Sequence, residues 1–264
     1  MFDLHMHSAF SDGRDAPEEM VLEGIRLGLA SIGISEHSFL EWDDSAMPRE
    51  KTETCRAEME RLKGKYAGRI EVLRGLERDY YSEGPETYDY VIGSVHWIRM
   101  PDGYPVSVDW EPERLERDCS VYFGGDWYAL AEAYFRLEAD VARKTRCDVI
   151  GHFDLVCKFN EQRRWFDESH PRYRAAWRQA ADALLKAGKP FEINTGAISR
   201  GYRTDAYPSR EIRAYLKERG ARFILSSDAH RKEHICFGFD RFGMRRKAVK
   251  QTEIQSLNQV ANPG

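Results

Sequence analysis

The sequence predicts an α/β fold in which a parallel sheet closes on itself as a barrel. Short apolar runs alternate with helical patterns along the chain, the order that builds parallel sheets. Six of the eight histidines stand at or just after the end of an expected strand. The first strand carries a His-x-His pair and the last leads into an Asp-x-His pair. In a closed barrel the first and last strands are neighbours, and all strand C-termini meet at one rim. An open sheet usually separates those two strands as its edges, so the two motifs favour closure.

Seven strands are expected: Phe2–His5, Ser31–Ser35, Ile70–Gly75, Tyr90–Val95, Asp148–Gly151, Phe191–Asn194 and Arg222–Ser226. They are rich in Val, Ile, Leu and Phe, as buried parallel strands are. Helices are expected between them. Pro17–Leu29 opens with proline followed by Glu18 and Glu19, a favourable first turn, and Met20, Ile25 and Leu29 form its apolar stripe. Lys51–Lys65, Asp126–Lys144, Tyr173–Ala187 and Ser209–Arg219 follow. The stretch Trp97–Gly125, punctuated by Pro101, Pro105 and Pro112, reads as a long irregular excursion. The polar stretch 245–264 reads as a surface tail.

The 264 residues suit one barrel domain over 1–264, since an α/β barrel of about 250 residues often forms a single domain. With 40 basic and 44 acidic residues the net charge is −4, so a broad nucleic-acid footprint is not expected. Five cysteines, an odd number with no CxxC pair, point to reduced thiols in the cytoplasm rather than to a disulfide framework. The N-terminus shows no signal-peptide pattern, and no apolar run is long enough to span a membrane. Oligomeric state is not readable.

The chemistry lies in the polar residues at the strand ends. His5 and His7 are two apart and share one face of the first strand. Asp12 follows in the next loop, and His37, Glu77, His96 and His152 come after strands two to five. Asp228 and His230 follow strand seven. A lone histidine at a strand end is usually structural. Nine imidazole and carboxylate groups at successive strand ends are too many for one tetrahedral ion, and suit two or three divalent ions such as Zn, Mn or Fe. His170, before Pro171, is expected to cap or sit at the surface, and His234 to be structural. Lys158 and Arg200, just past strands five and six, are the candidates for binding an anionic substrate; Arg203 is a weaker one. Trp97, Tyr104 and Asp109 are possible walls of a substrate pocket.

These motifs resemble the PHP (polymerase and histidinol phosphatase) family: His5-Met6-His7, Asp12, His37, Gly75-Leu76-Glu77, Ser94-Val95-His96, Gly151-His152-Phe153-Asp154 and Ser227-Asp228-Ala229-His230. Gly151–Asn160, Glu192–Arg200 and Tyr207-Pro208-Ser209 resemble its stand-alone histidinol-phosphate phosphatases. Arg78 departs from the pattern, where an apolar or small residue is expected. The resemblance implies a distorted (β/α)7 barrel. It implies one ion on His5, His7, Glu77 and Asp228, a second on Glu77, His96 and His152, and a third on Asp12, His37 and His230. It implies hydrolysis of L-histidinol phosphate by water that the ions ionise, with His37, Asp228 and His230 as catalytic residues. A PHP phosphoesterase acting on nucleotides or oligonucleotides is the alternative. An amidohydrolase also begins with His-x-His, but its usual eight strands and single late Asp fit this sequence less well.

Overall fold

The computed structural model describes residues 1–84 and 87–243, so the expected tail at 245–264 lies outside the described residues. The chain starts with β1 (Phe2–Asp3), α1 (Pro17–Arg26), β2 (Ser31–His37), α2 (Thr52–Lys65), β3 (Glu71–Asp79) and β4 (Tyr90–Ser94). A hairpin of β5 (Trp97–Arg99) and β6 (Pro105–Ser107) precedes α3 (Pro112–Phe123) and α4 (Trp127–Thr145). Then come β7 (Val149–Ile150), α5 (Asn160–Arg163), α6 (Pro171–Ala187), β8 (Phe191–Asn194), α7 (Gly196–Ser199), α8 (Arg210–Glu218) and β9 (Phe223–Ser226).

Among the described residues, seven strands form one parallel sheet in the order β1-β2-β3-β4-β7-β8-β9. The sheet closes at its rim. Met6 pairs with Ala229 in parallel, the His7 amide donates to the Ala229 carbonyl at 2.9 Å, and the Ala229 amide donates to the His5 carbonyl at 3.3 Å. Below this pairing the buried Asp3 carboxylate accepts the Ser227 and Cys236 amides at 3.1 and 3.0 Å. A side chain thus joins the first and last segments where strand pairing stops.

The barrel is filled from the floor upward. Tyr90, Ile92 and Val149 pack together there with Leu4, Leu73 and Ile224. The Tyr90 ring crosses above Gly33 and Gly75. A Cβ on Gly33 would stand 2.1 Å from the Tyr90 hydroxyl, and one on Gly75 2.3 Å from its ring. These two positions have no room for a side chain while the tyrosine occupies the floor. Outside the barrel one apolar layer joins α3, α4, α6 and α8 to the later strands. Another joins α1 and α2 to the earlier ones.

Three expectations are corrected. Trp97–Gly125 is ordered secondary structure, not an irregular excursion. Its breakers stand at element boundaries: Gly103 (φ 92°) turns the hairpin, Pro105 opens β6, Pro112 lies in the first turn of α3, and Gly124 (φ 62°) ends that helix. Leu115 and Cys119, four apart, lie on the buried face of α3. Helix α1 stops at Arg26 rather than Leu29, because Gly28 (φ 70°) turns the chain toward β2. Strands β2 and β3 extend through His37 and Asp79, so His37, Glu77 and Asp79 are held by sheet hydrogen bonds rather than by loops.

Candidate metal centre

All nine predicted ligands meet at the rim. Glu77 stands at their centre, buried to 1% exposure. Its Oε2 lies 3.3 Å from His5 Nε2, 3.5 Å from His7 Nε2 and 2.9 Å from His37 Nδ1. Its Oε1 lies 2.8 Å from His152 Nε2 and 3.3 Å from His96 Nε2, and accepts the Ser94 hydroxyl at 2.7 Å. The two oxygens of one carboxylate therefore face two separate sets of imidazoles. Asp228 Oδ1 stands 3.4 Å from His7 Nε2 and 3.9 Å from His5 Nε2. Asp12 stands 3.6 Å from His37 Nε2 and 3.2 Å from His230 Nε2.

Among the described residues the donor atoms gather into three overlapping groups: His5, His7 and Asp228; His37, Glu77 and His96; and His7, Asp12, His37 and His230. Buried polar atoms normally have hydrogen-bond partners. Here His5 Nε2, both ring nitrogens of His7, Glu77 Oε2 and His152 Nδ1 are buried with none. Lone pairs converging at short range without mutual hydrogen bonds fit metal ions. The donor chemistry, imidazole and carboxylate with no thiolate, suits Zn, Mn or Fe.

Electrostatics follow the same layout. Burial, with His37 and His230 alongside, pushes the His7 imidazole down to about 3. Burial works in the same direction on His37, but Asp12 and Glu77 outweigh it and push that imidazole up to about 9. Burial disfavours the charge on Asp228, yet Arg200 and His5 hold its carboxyl well below the usual range. Asp228 has φ 49°, in the left-handed region, which Asp tolerates better than most non-glycine residues. A Cβ on Gly196 would fall 2.7 Å from Asp228 Oδ2 and 2.9 Å from Arg200 Nη2, so this pair can form only beside a glycine.

Lys158 and Arg200 line the same basin of about 470 Å³ as Asp12, His37, Glu77 and His96. Arg200 Nη2 donates to Asp228 Oδ2 at 3.0 Å. Its Nη1 lies 2.7 Å from His230 Nδ1, which is also 3.0 Å from the Asp228 carbonyl oxygen. A bare Nδ1 suits the guanidinium; a protonated one suits the carbonyl. Lys158 Nζ donates to the Asp109 carbonyl at 2.6 Å and pairs with its carboxylate at 3.3 Å. Trp97 and Asp109 line the basin, as does Trp110. Tyr104 instead stacks on Tyr122. Arg203 is buried, donating to the Cys157 carbonyl and pairing with Glu168. His170 caps α6 by accepting the Arg172 amide.

Sequence reasoning missed the groups behind the ligands. Asp79 holds His96 through both its amide and Nδ1, at 3.0 and 3.2 Å. Glu192 holds His5 Nδ1 at 2.7 Å. Both signals were present: Asp79 is two residues past Glu77, and Glu192 and Asn194 are two apart on one strand. Polar side chains at that period inside a barrel strand face the site.

A parallel barrel with histidines and carboxylates gathered at its C-terminal rim belongs to the class of barrels built to hold metal ions. The PHP domain model matches residues 3–196, and the chain belongs to that family. A Schizosaccharomyces pombe protein named "Probable histidinol-phosphatase" is 29% identical over 246 residues, covering 84% of this chain and 77% of the relative. The crystal structure of HisK from Listeria monocytogenes superposes with a TM-score of 0.81 at 22% identity, over 92% of this chain and 100% of that one. The histidinol phosphate phosphatase of Lactococcus lactis, solved with Zn, L-histidinol and phosphate, has a TM-score of 0.64 at 21% identity, over 98% and 93% of the two chains. These structures share the (β/α)7 fold with this chain.

Proposed function

We propose that this chain is a single catalytic domain that hydrolyses L-histidinol phosphate to L-histidinol and phosphate. One observation carries the reading: Glu77 and His152, each with a partnerless buried atom, line one basin together with the cationic Lys158 and Arg200. The printed activity of the Schizosaccharomyces pombe relative and the ligands of the Lactococcus lactis structure support the choice of substrate. His5, His7, Asp12, His37, Glu77, His96, His152, Asp228 and His230 would hold two or three ions of Zn, Mn or Fe. Ions bound there would supply Lewis-acid stabilisation of a phosphoryl group and ionise water near neutral pH.

The chain's own residues bind and orient. The Arg200 guanidinium, fixed by Asp228, presents donors to phosphoryl oxygens in a planar fork. Lys158 adds a point charge, held ready by Asp109. His37 and His230 stand beside Asp12, where a proton can be held for the leaving alkoxide. Trp97, Trp110 and Asp109 form the wall facing the substrate's imidazole and amine. Among the described residues no helix is long and apolar enough to cross a membrane. A small phosphorylated metabolite, rather than nucleic acid or a membrane, is the partner in this reading, and the cytoplasm its place of work.

The test is phosphate release by protein loaded with Zn, Mn or Fe, comparing L-histidinol phosphate, AMP and a single-stranded oligonucleotide. Histidinol phosphate should be preferred in kcat/KM by at least about a hundredfold, because unmatched polar groups in a fitted site are costly. Faster turnover of AMP or the oligonucleotide would reject the assignment.

A further inference from the structure

We propose that Glu192 is the positioning residue that sets the candidate ligands His5 and His152 relative to one another across the barrel. The inference rests on the reading that the rim holds metal ions.

Glu192 lies on β8 and is 1% exposed. Its carboxylate serves three donors. Oε1 accepts His5 Nδ1 at 2.7 Å; Oε2 accepts the His152 amide at 3.1 Å and Asn194 Nδ2 at 3.2 Å. Asn194 Nδ2 is also 3.4 Å from Asp228 Oδ2. One side chain thus reaches the first segment, the turn after β7 and, through Asn194, the turn after β9. The two oxygens of a carboxylate have room for all three donors. In a neutral imidazole, the Nδ1 proton that meets this acceptor at 2.7 Å leaves Nε2 bare. That Nε2 is buried, has no hydrogen-bond partner, and stands 3.3 Å from Glu77 Oε2. Glu192 therefore selects both the tautomer and the direction of His5. Its hold on the His152 backbone places that ring against the other oxygen of Glu77, at 2.8 Å. His152 Nδ1 has no partner of its own, so its ring is placed through the backbone and Nε2.

The substitution Glu192→Gln tests this. Glutamine keeps the volume but has one acceptor oxygen. It can serve His5 or the His152 and Asn194 donors, and its NH2 opposes whichever is left. Zinc affinity of the full chain is measured by equilibrium competition with a chromophoric chelator, alongside thermal unfolding of the metal-free protein. Glu192→Gln should weaken zinc binding by about 10–100-fold, the usual loss when a group orienting a ligand is removed. Glu192→Asp, which keeps charge and both acceptors but retreats by one methylene, should recover part of it. A purely structural role lowers the unfolding temperature of the metal-free protein and leaves zinc affinity within about twofold; that result overturns the proposal. If Glu192→Gln does not fold, zinc affinity of Glu192→Asp equal to that of the unaltered chain overturns it equally. An unaltered chain that binds no zinc, manganese or iron overturns the metal reading and this inference together. Tight metal binding without histidinol phosphate hydrolysis rejects the substrate alone and leaves Glu192 in its role.

Discussion

The rim and the floor of this barrel are built by the same strands and use burial in opposite ways. At the floor, Tyr90, Ile92 and Val149 pack against Leu4, Leu73 and Ile224, and β2 makes room for the tyrosine with Gly33. At the rim, the continuing segments deliver nine imidazoles and carboxylates, several with buried atoms that have no hydrogen-bond partner. Each such atom costs about 1–3 kcal/mol in the absence of a ligand. The rim is thus held in place against its own preference by the floor and the outer helices. Changes at the rim should remove chemistry and leave the fold. Changes at the floor should do the reverse.

The largest expected effect is at the rim. Asp228→Asn keeps an acceptor for Arg200 and tolerates the left-handed backbone, but removes the charge shared by His5, His7 and Arg200. Turnover should fall by about a hundred- to a thousandfold while the protein stays folded, the usual loss when one preorganised electrostatic group at the reacting centre is removed. Steady-state rates with metal content measured in parallel decide it. Undiminished turnover at full loading would erase the distinction between the two ends.

The floor gives the converse. Tyr90→Ala removes the ring that crosses Gly33 and Gly75 and should cost about 3–5 kcal/mol of stability, as other large-to-small changes at buried aromatics do. Urea unfolding measures the loss. Metal stoichiometry in the folded fraction should not change; a loss of ions there would mean that floor and rim are one cooperative unit.

The smallest effect lies outside both regions. Glu18 on α1 meets Lys65, Arg61 and Tyr66 of the α2 end at 2.6–2.7 Å. Hydrogen bonds from Lys65 and Tyr66 lower its carboxyl to about 2. A folded pKa depressed below the ordinary value of 4.5 contributes stability that is present above that pH and lost as pH falls toward 2. The contact is partly exposed, so Glu18→Gln should cost at most about 1 kcal/mol at pH 7. The difference from the unaltered chain should shrink as pH drops through this window. A difference that is the same at pH 7 and at pH 3 would show that charge plays no part in this helix contact.

What was readable in the sequence followed periodicity and position. His5 and His7 share a strand face, Asp228 and His230 follow the last strand, and both facts follow from a period of two. Trp97–Gly125 reads as irregular in the sequence because its prolines and glycines look like breaks within a loop, whereas in the fold they bound short elements. The apolar spacing of Leu115 and Cys119 is too short a signal to outweigh that punctuation. Glu192 and Asp79 escaped because their roles depend on which histidine lies opposite.

The sequence by itself determined the alternation of strands and helices and which side chains stand at each strand end, because these depend on neighbours two to four positions apart. The tertiary structure decided the pairings between distant segments. Met6 meets Ala229, Glu77 divides its two oxygens among five histidines, and Glu192 joins His5 to the His152 backbone. Those contacts depend on barrel closure and strand register, which local propensity does not contain; only packing of the whole sheet sets which side chains share one carboxylate.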